Sequence, residues 1–205
     1  MFLIALAAQI SAPAPERPNR WFSSDDTPPY LIRAGSGLWR VSIRVTVAPD
    51  GKLRSCDVES SGGISDLNKR TCGIVVRRAK FQPARVDGLP VFGVYRNSVV
   101  WAVVDAPVDT SKVMYPDVEV TVARLPTRLK SPTFVGVAFA VDTAANKSSC
   151  VMDVAVDPEQ VENHPALVPI ACEQIMAKYQ ATPATDGTGK AVLSVQSALV
   201  QFSAE

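Results

Sequence analysis

Histidine is almost absent from this chain: His164 is the only one in 205 residues. That removes most routes to a Ser-His-Asp hydrolase or a histidine-rich metal site. The four cysteines, Cys56, Cys72, Cys150 and Cys172, include no Cys-x-x-Cys pair. Neither a zinc ribbon nor a thioredoxin-type redox centre is therefore spelled out. No glycine-rich phosphate loop follows an apolar strand. No apolar run reaches the roughly 20 residues that a membrane-spanning helix needs. There is no basic run and no aromatic–basic interleaving, so nucleic acid is not an expected partner. The residues that might suggest chemistry have plainer readings. His164 reads as a residue at a helix start, Asp50 and Asp87 as turn formers, Ser60-Ser61-Gly62 as a strand-to-helix turn, and Trp101 as core. No enzyme activity, metal or cofactor is expected.

What is present is a globular composition, 47% hydrophobic and 20% charged. The formal charge is +1, but it is uneven. Residues 31–104 hold 12 basic and 5 acidic residues, whereas residues 105–205 hold 7 and 12. Two differently charged solvated surfaces explain this, and so would a basic half docking on an acidic one.

Residues 2–8 are apolar, and Ala12 and Ala14 are small residues near a plausible cleavage point. This predicts a signal peptide over residues 1–12. It lacks a basic leading region, so a start upstream of Met1, with inner-membrane association, stays open. Five prolines between Pro13 and Pro29 predict an extended linker over residues 13–29.

Val41, Ile43, Val45 and Val47 alternate with smaller or polar residues, which predicts a half-buried strand. Ala48-Pro49-Asp50-Gly51 is a turn, and Cys56 and Val58 mark the returning arm. Ser65 is the expected N-cap of a helix whose apolar face carries Cys72, Val75, Val76 and Ala79. Asp87-Gly88 turns into a third strand around residues 97–104. The order then recurs. Val135, Val137, Phe139 and Val141 alternate; Cys150, Met152 and Val154 return; a helix carries Cys172, Ile175, Met176 and Tyr179; residues 192–202 close the unit. Pro165 is the expected first helical residue, and Pro169 should kink that helix or delay its start. The chain thus reads as a diverged internal duplication.

Each half places one cysteine on its second strand and one on the apolar face of its helix. Four cysteines allow three pairings, and the duplication selects Cys56–Cys72 with Cys150–Cys172. Each bridge is worth about 3 kcal/mol by the chain-entropy account. Together they imply an oxidising compartment.

Residues 37–103 resemble the C-terminal domain of TonB-family energy transducers. The resemblance is carried by Gly37-Leu38-Trp39-Arg40 leading the first strand, the Asp50-Gly51-Lys52 turn, Val58-Glu59-Ser60-Ser61-Gly62, Leu67, Phe81-Gln82-Pro83-Ala84, and Asp87-Gly88-Leu89-Pro90-Val91. The second half looks like a degenerate copy. It keeps Pro183-Ala184-Thr185-Asp186-Gly187 and loses Ser-Ser-Gly. The family's Tyr-Pro is missing before the first copy, where Leu31 follows Tyr30, but Tyr115-Pro116 precedes the second.

The resemblance implies an α+β fold of two tandem ββαβ domains, each a small antiparallel sheet packed on one helix. Their expected extents are residues 30–106 and 133–205, joined by a linker over 107–132. It also implies a periplasmic protein-binding module that adds an extended segment of an outer-membrane receptor or envelope protein to a sheet edge. The implied edge is Arg96, Asn97, Ser98, Val99, Val100 and Trp101, continuing to Val103, with residues 193–202 as its counterpart. The same edges allow a homodimer, so the competing expectation is a self-associating envelope protein. The family's membrane helix and long proline-rich spacer are not found here.

Overall fold

The computed structural model describes residues 9–61, 63–104, 115–154 and 164–205. The apolar run over residues 2–8, Gly62 of the Ser-Ser-Gly turn and residues 107–114 of the expected linker lie outside these.

The N-terminal part contributes two short strands, β1 (Ile10–Ser11) and β2 (Ala14–Glu16), and a short helix, α1 (Pro29–Ala34). The first half continues with β3 (Gly37–Val47), β4 (Leu53–Ser60), α2 (Ser65–Arg78), β5 (Lys80–Gln82), β6 (Ala84–Val86) and β7 (Leu89–Val103). The second half has β8 (Val118–Val122), β9 (Thr133–Val141), β10 (Lys147–Met152), α3 (Val168–Lys178), β11 (Ala184–Thr185), β12 (Ala191–Val192) and β13 (Ser194–Ala204).

The alternation in β3 buries Val41, Ile43 and Val45 completely. The β3–β4 turn closes with Ala48 N–H donating to the Lys52 carbonyl at 2.9 Å. Gly51 is required there twice over. Its φ of +78° favours glycine, and a Cβ would lie 2.7 Å from the Phe81 carbonyl oxygen. In β9 all nine residues are buried: Val135, Val137, Phe139 and Val141 belong to one apolar cluster, and Ala138 to another with Ala12, Ala84 and Val195. Alternation with small residues thus marks a strand covered on both faces.

Helix α2 packs through Leu67, Thr71, Ile74 and Val75. The expected face was rotated: Val76 is 56% exposed, and Thr71 takes the central position. Its hydroxyl donates to the Leu67 carbonyl at 2.8 Å and accepts from Trp101 Nε1 at 3.0 Å. A polar side chain satisfied this way is core-compatible, which apolar periodicity does not register. Ser65 is the first helical residue rather than the cap, which falls on Ile64. In α3, Pro169 delays the helix start to Val168 and sits in the first turn, where its missing N–H costs nothing. Residues 165–167 form a turn instead, with Ala166 N–H donating to His164 Nδ1 at 3.2 Å. Lys147 Nζ donates to the Ile175 carbonyl at 2.8 Å and to that of Tyr179, closing the helix C-terminus.

Both halves keep a strand–strand–helix–strand core, but they are not two ββαβ domains with separate small sheets. They share one mixed, nearly closed, barrel-like sheet of nine strands. The joint is parallel: Phe92, Gly93 and Val94 of β7 pair with Ser194, Val195 and Gln196 of β13. β13 also pairs antiparallel with β9 and parallel with β8. Gly93 and Val94 pair with β3 on one side and with β13 on the other, so β13 takes up backbone groups that this part of β7 turns away from β3, while Leu89–Val91, past the end of β3, pairs with β6.

Two large apolar clusters remain, one under α2 around Leu67 and Trp101, the other under α3 around Phe139 and Phe202. A third, of Ala12, Ala84, Ala138 and Val195, lies at the joint. The disulfides Cys56–Cys72 and Cys150–Cys172 each tie the second strand of a hairpin to the helix across it, with Cα atoms 5.6 Å apart in both.

Residues 13–29, expected as an extended linker, are woven into the fold. β2 pairs with β5, Trp21 is buried against Phe81 and Tyr95, and Asp26 is buried beside α2. β1, which falls inside the expected signal peptide, pairs with β6.

Candidate partner-binding edge

Strand β7 is the third strand of the first half, and its two ends have different neighbours. Leu89–Val91 pairs with β6 across the Asp87-Gly88 turn, where both residues have positive φ, as a two-residue hairpin turn demands. Beyond the joint to β13 the strand diverges. Among the described residues, positions 96–103 have strand pairing on the β3 side alone.

The backbone direction on that stretch is fixed by Ser98. Its N–H donates to Asn97 Oδ1 at 2.8 Å, and its hydroxyl lies 2.9 Å from that of Ser42 opposite. Close side chains and an N–H turned away from the partner mark a non-hydrogen-bonded antiparallel pair. Alternation then points the backbone groups of Arg96, Ser98, Val100 and Ala102 away from β3, and those of Asn97, Val99 and Trp101 toward it.

The six expected edge residues therefore share one strand but do different things. Trp101 is buried, edge-on to Phe22 and bonded to Thr71, so its side chain is core. Val99 packs into the same cluster. Asn97 is exposed, and its amide covers the Ser98 N–H. Arg96 anchors the divergence. It pairs with Glu59 at 2.8 Å and with Asp117, and donates to the Tyr179 hydroxyl at 3.0 Å. Asp117 in turn brackets Leu199: its N–H donates to the Leu199 carbonyl at 2.7 Å, and its Oδ2 accepts the Leu199 N–H at 2.8 Å.

Burial disfavours the Arg96 charge, but Asp117, Tyr179 and Glu59 outweigh it and hold the guanidinium charged. Burial also pushes Asp117 upward against the pull of Arg96 and the Leu199 N–H. This knot was not foreseen. Its visible signals were one arginine in an otherwise apolar and small-residue strand, and an aspartate directly after Tyr115-Pro116. Tyr115 itself lies under Arg40, 3.3 Å from guanidinium carbon to ring centroid.

The second expected edge, residues 193–202, is not open. β13 carries β9 along one side, with β7 and β8 on the other, and Asp117 satisfies Leu199 between them. The duplication predicts matching edges, whereas the joint uses one of them internally. Among the described residues, no three His, Cys, Asp or Glu side chains gather where they could hold a metal ion. No helix among them is long and apolar enough to cross a membrane.

Residues 40–103, from within β3 to the last residue of β7, match the family model of the Gram-negative bacterial TonB protein C-terminal domain. Neither the curated proteins nor the solved structures contain a match to the chain. The family's domain is periplasmic and non-enzymatic, and it serves protein interaction in the envelope. Over residues 40–103 this chain is therefore similar to the TonB C-terminal domain family.

Proposed function

We propose that this chain is a periplasmic protein-binding module that takes an extended segment of an outer-membrane receptor or another envelope protein as an added strand. The docking edge is residues 96–103 of β7. One observation carries the reading: within the matched domain, this long strand has a run of backbone groups with no strand partner on the side away from β3, among the described residues. Such an edge pairs with extended peptide through main-chain hydrogen bonds, with alternate side chains setting specificity. The two disulfides fit an oxidising compartment. The matching placement of the disulfides supports a second half that is a diverged copy. In this reading that half is a brace, because its own third strand is used inside the sheet.

The test is an NMR titration of the oxidised chain with extended peptides from receptor N-terminal segments. Amide shifts should concentrate at residues 96–103, strongest at Arg96, Ser98, Val100 and Ala102. A flat titration across several such peptides, with a folded chain that dimerises with concentration, would replace this reading with self-association through the same edge.

A further inference from the structure

Strands β7 and β8 lie on the same side of β13. β9 occupies the other side along residues 194–202, so β13 meets β7 at residues 194–196 and β8 at residues 200–204 through one edge. On β7, β3 holds one side as far as Val103. The open side of residues 96–103 is therefore the side toward β13, and so toward β8. Among the described residues no ladder joins β7 to β8, and β8 pairs with β13 alone. Two open strand edges thus face each other across a fork. Its apex is the Arg96–Asp117 pair, with Asp117 fastened to Leu199.

Backbone groups on both edges point into the fork. On β7 they belong to Arg96, Ser98, Val100 and Ala102. On β8 the Val122 carbonyl accepts the Glu205 N–H at 3.1 Å, which turns Val122 toward β13. Alternation turns Val118 and Val120 the same way, and Glu119 and Thr121 into the fork. Both strands run parallel to β13, hence parallel to each other. One extended segment therefore has the same orientation to both and can pair with both at once. Neighbouring strands lie about 4.8 Å apart, so a single strand fills a gap of about 10 Å between two edges.

Residue parity fixes what the side chains of such a segment meet. Val94 pairs with Gln196, and Val118 with Val200, so the even positions of β7, β13 and β8 share a face. On that face Val118, Val120 and Val122 pack in the cluster under α3, and Val100 and Ala102 flank the fork from β7. On the opposite face Val99 and Trp101 belong to the cluster under α2, while Glu119 and Thr121 are exposed. An entering segment meets one apolar face and one that is half polar.

We infer that the bound segment is inserted between β7 and β8 and hydrogen-bonded to both, so that the second half supplies one wall of the site as well as bracing it. This rests on the docking reading above and turns a one-sided edge into a two-sided slot. β8 has five residues, which sets the length that is paired twice. The sequence that fits alternates a β-branched apolar residue on the α3 side with a hydroxyl-bearing one on the α2 side.

The test is amide hydrogen exchange, followed by NMR, on the oxidised full chain with and without a capped peptide of alternating valine and threonine that carries terminal lysines for solubility. The amides of Arg96, Val100 and Ala102 on β7 and those of Glu119 and Thr121 on β8 should all exchange more slowly in the complex. Protection on β7 alone overturns the insertion and leaves one-sided strand addition standing. No protection on either strand, with the chain folded, also overturns the insertion, and the receptor-segment titration then judges the β7 edge by itself. A variant gives a second readout. Thr121→Pro removes an N–H that faces the fork and none that faces β13, so the chain should fold. It should bind the peptide about tenfold more weakly, the effect of one lost hydrogen bond. Binding as tight as that of the unaltered chain overturns the second wall.

Discussion

Arg96 of β7 forms an ion pair with Asp117, which lies one residue ahead of β8 and brackets Leu199 of β13 through its backbone N–H and its carboxylate. One guanidinium therefore ties the strand with the open edge to the two second-half strands at the point where they part. Removing one partner of a buried pair leaves the other charge uncompensated, which costs about 3–5 kcal/mol when burial is deep. Here the side chains are 26% and 15% exposed, so Arg96→Ala should cost somewhat less, about 2–4 kcal/mol. The double variant Arg96→Ala/Asp117→Ala should be more stable than the sum of the single losses predicts, because no orphaned charge remains. Urea unfolding of the four proteins measures this. Additive losses would mean that the two residues act independently.

The disulfides make a second test, because each half depends on its own staple. Cys56→Ser or Cys72→Ser should lower stability by about 2–5 kcal/mol, as for bridges in small secreted domains. Cys150→Ser should do the same for the second core. Since the halves share a sheet, one cooperative transition is expected rather than two. Calorimetry with and without reductant decides it, and equal melting temperatures would sink the claim.

What the sequence disclosed follows from what periodicity encodes. Alternation in β3 and β9 gave the strands, because side-chain direction is a local property of the backbone. The two cysteine pairs were legible because their positions recurred. Strand neighbours are different: an edge is decided by backbone groups that every residue carries alike. Nothing in Phe92-Gly93-Val94 or Ser194-Val195-Gln196 says that they pair with each other, and so two small sheets were expected where one formed. The Arg96–Asp117 knot was hidden for the same reason, since its members are brought together only by that joint. The proline-rich start misled in another way. Its prolines read as spacer, while Pro13 packs on Gly93 and Trp21 enters the core.

Asp26 provides a pH-dependent handle. Its carboxylate accepts from Arg78 at 2.6 and 3.0 Å, and from the Ser23 N–H at 2.9 Å. The Arg78 hydrogen bonds, working against burial and helped by Ser23, hold its pKa at about 2. An unfolded aspartate titrates near 3.9. The folded pKa is depressed, so the stabilisation is fully present above about pH 4 and fades as pH falls toward about 2. Arg78 is 42% exposed, so water screens part of the pair and the effect is modest. Asp26→Asn should be less stable at neutral pH, and its deficit should shrink through that window. Urea midpoints from pH 7 to 2 measure the gap, and a constant gap would mean that the carboxylate charge is not what Asn loses.

Proline substitutions at neighbouring positions separate the edge from the ladder. Val99 pairs with Val41, and its backbone groups face β3. Val99→Pro removes a ladder donor inside the sheet and should cost about 3 kcal/mol or more, with loss of the fold. Val100 presents its N–H on the open side, where proline is tolerated in edge strands. Val100→Pro should therefore keep a cooperative melt yet bind an added strand at least about tenfold more weakly, the worth of roughly one hydrogen bond near 1.4 kcal/mol. Thermal melts report the first difference and peptide titration the second. If folded Val100→Pro binds as tightly as the unaltered chain, the partner docks elsewhere than on residues 96–103. If both variants unfold alike, the outer side of β7 is covered, and the alternation argued from Ser98 does not describe an open edge.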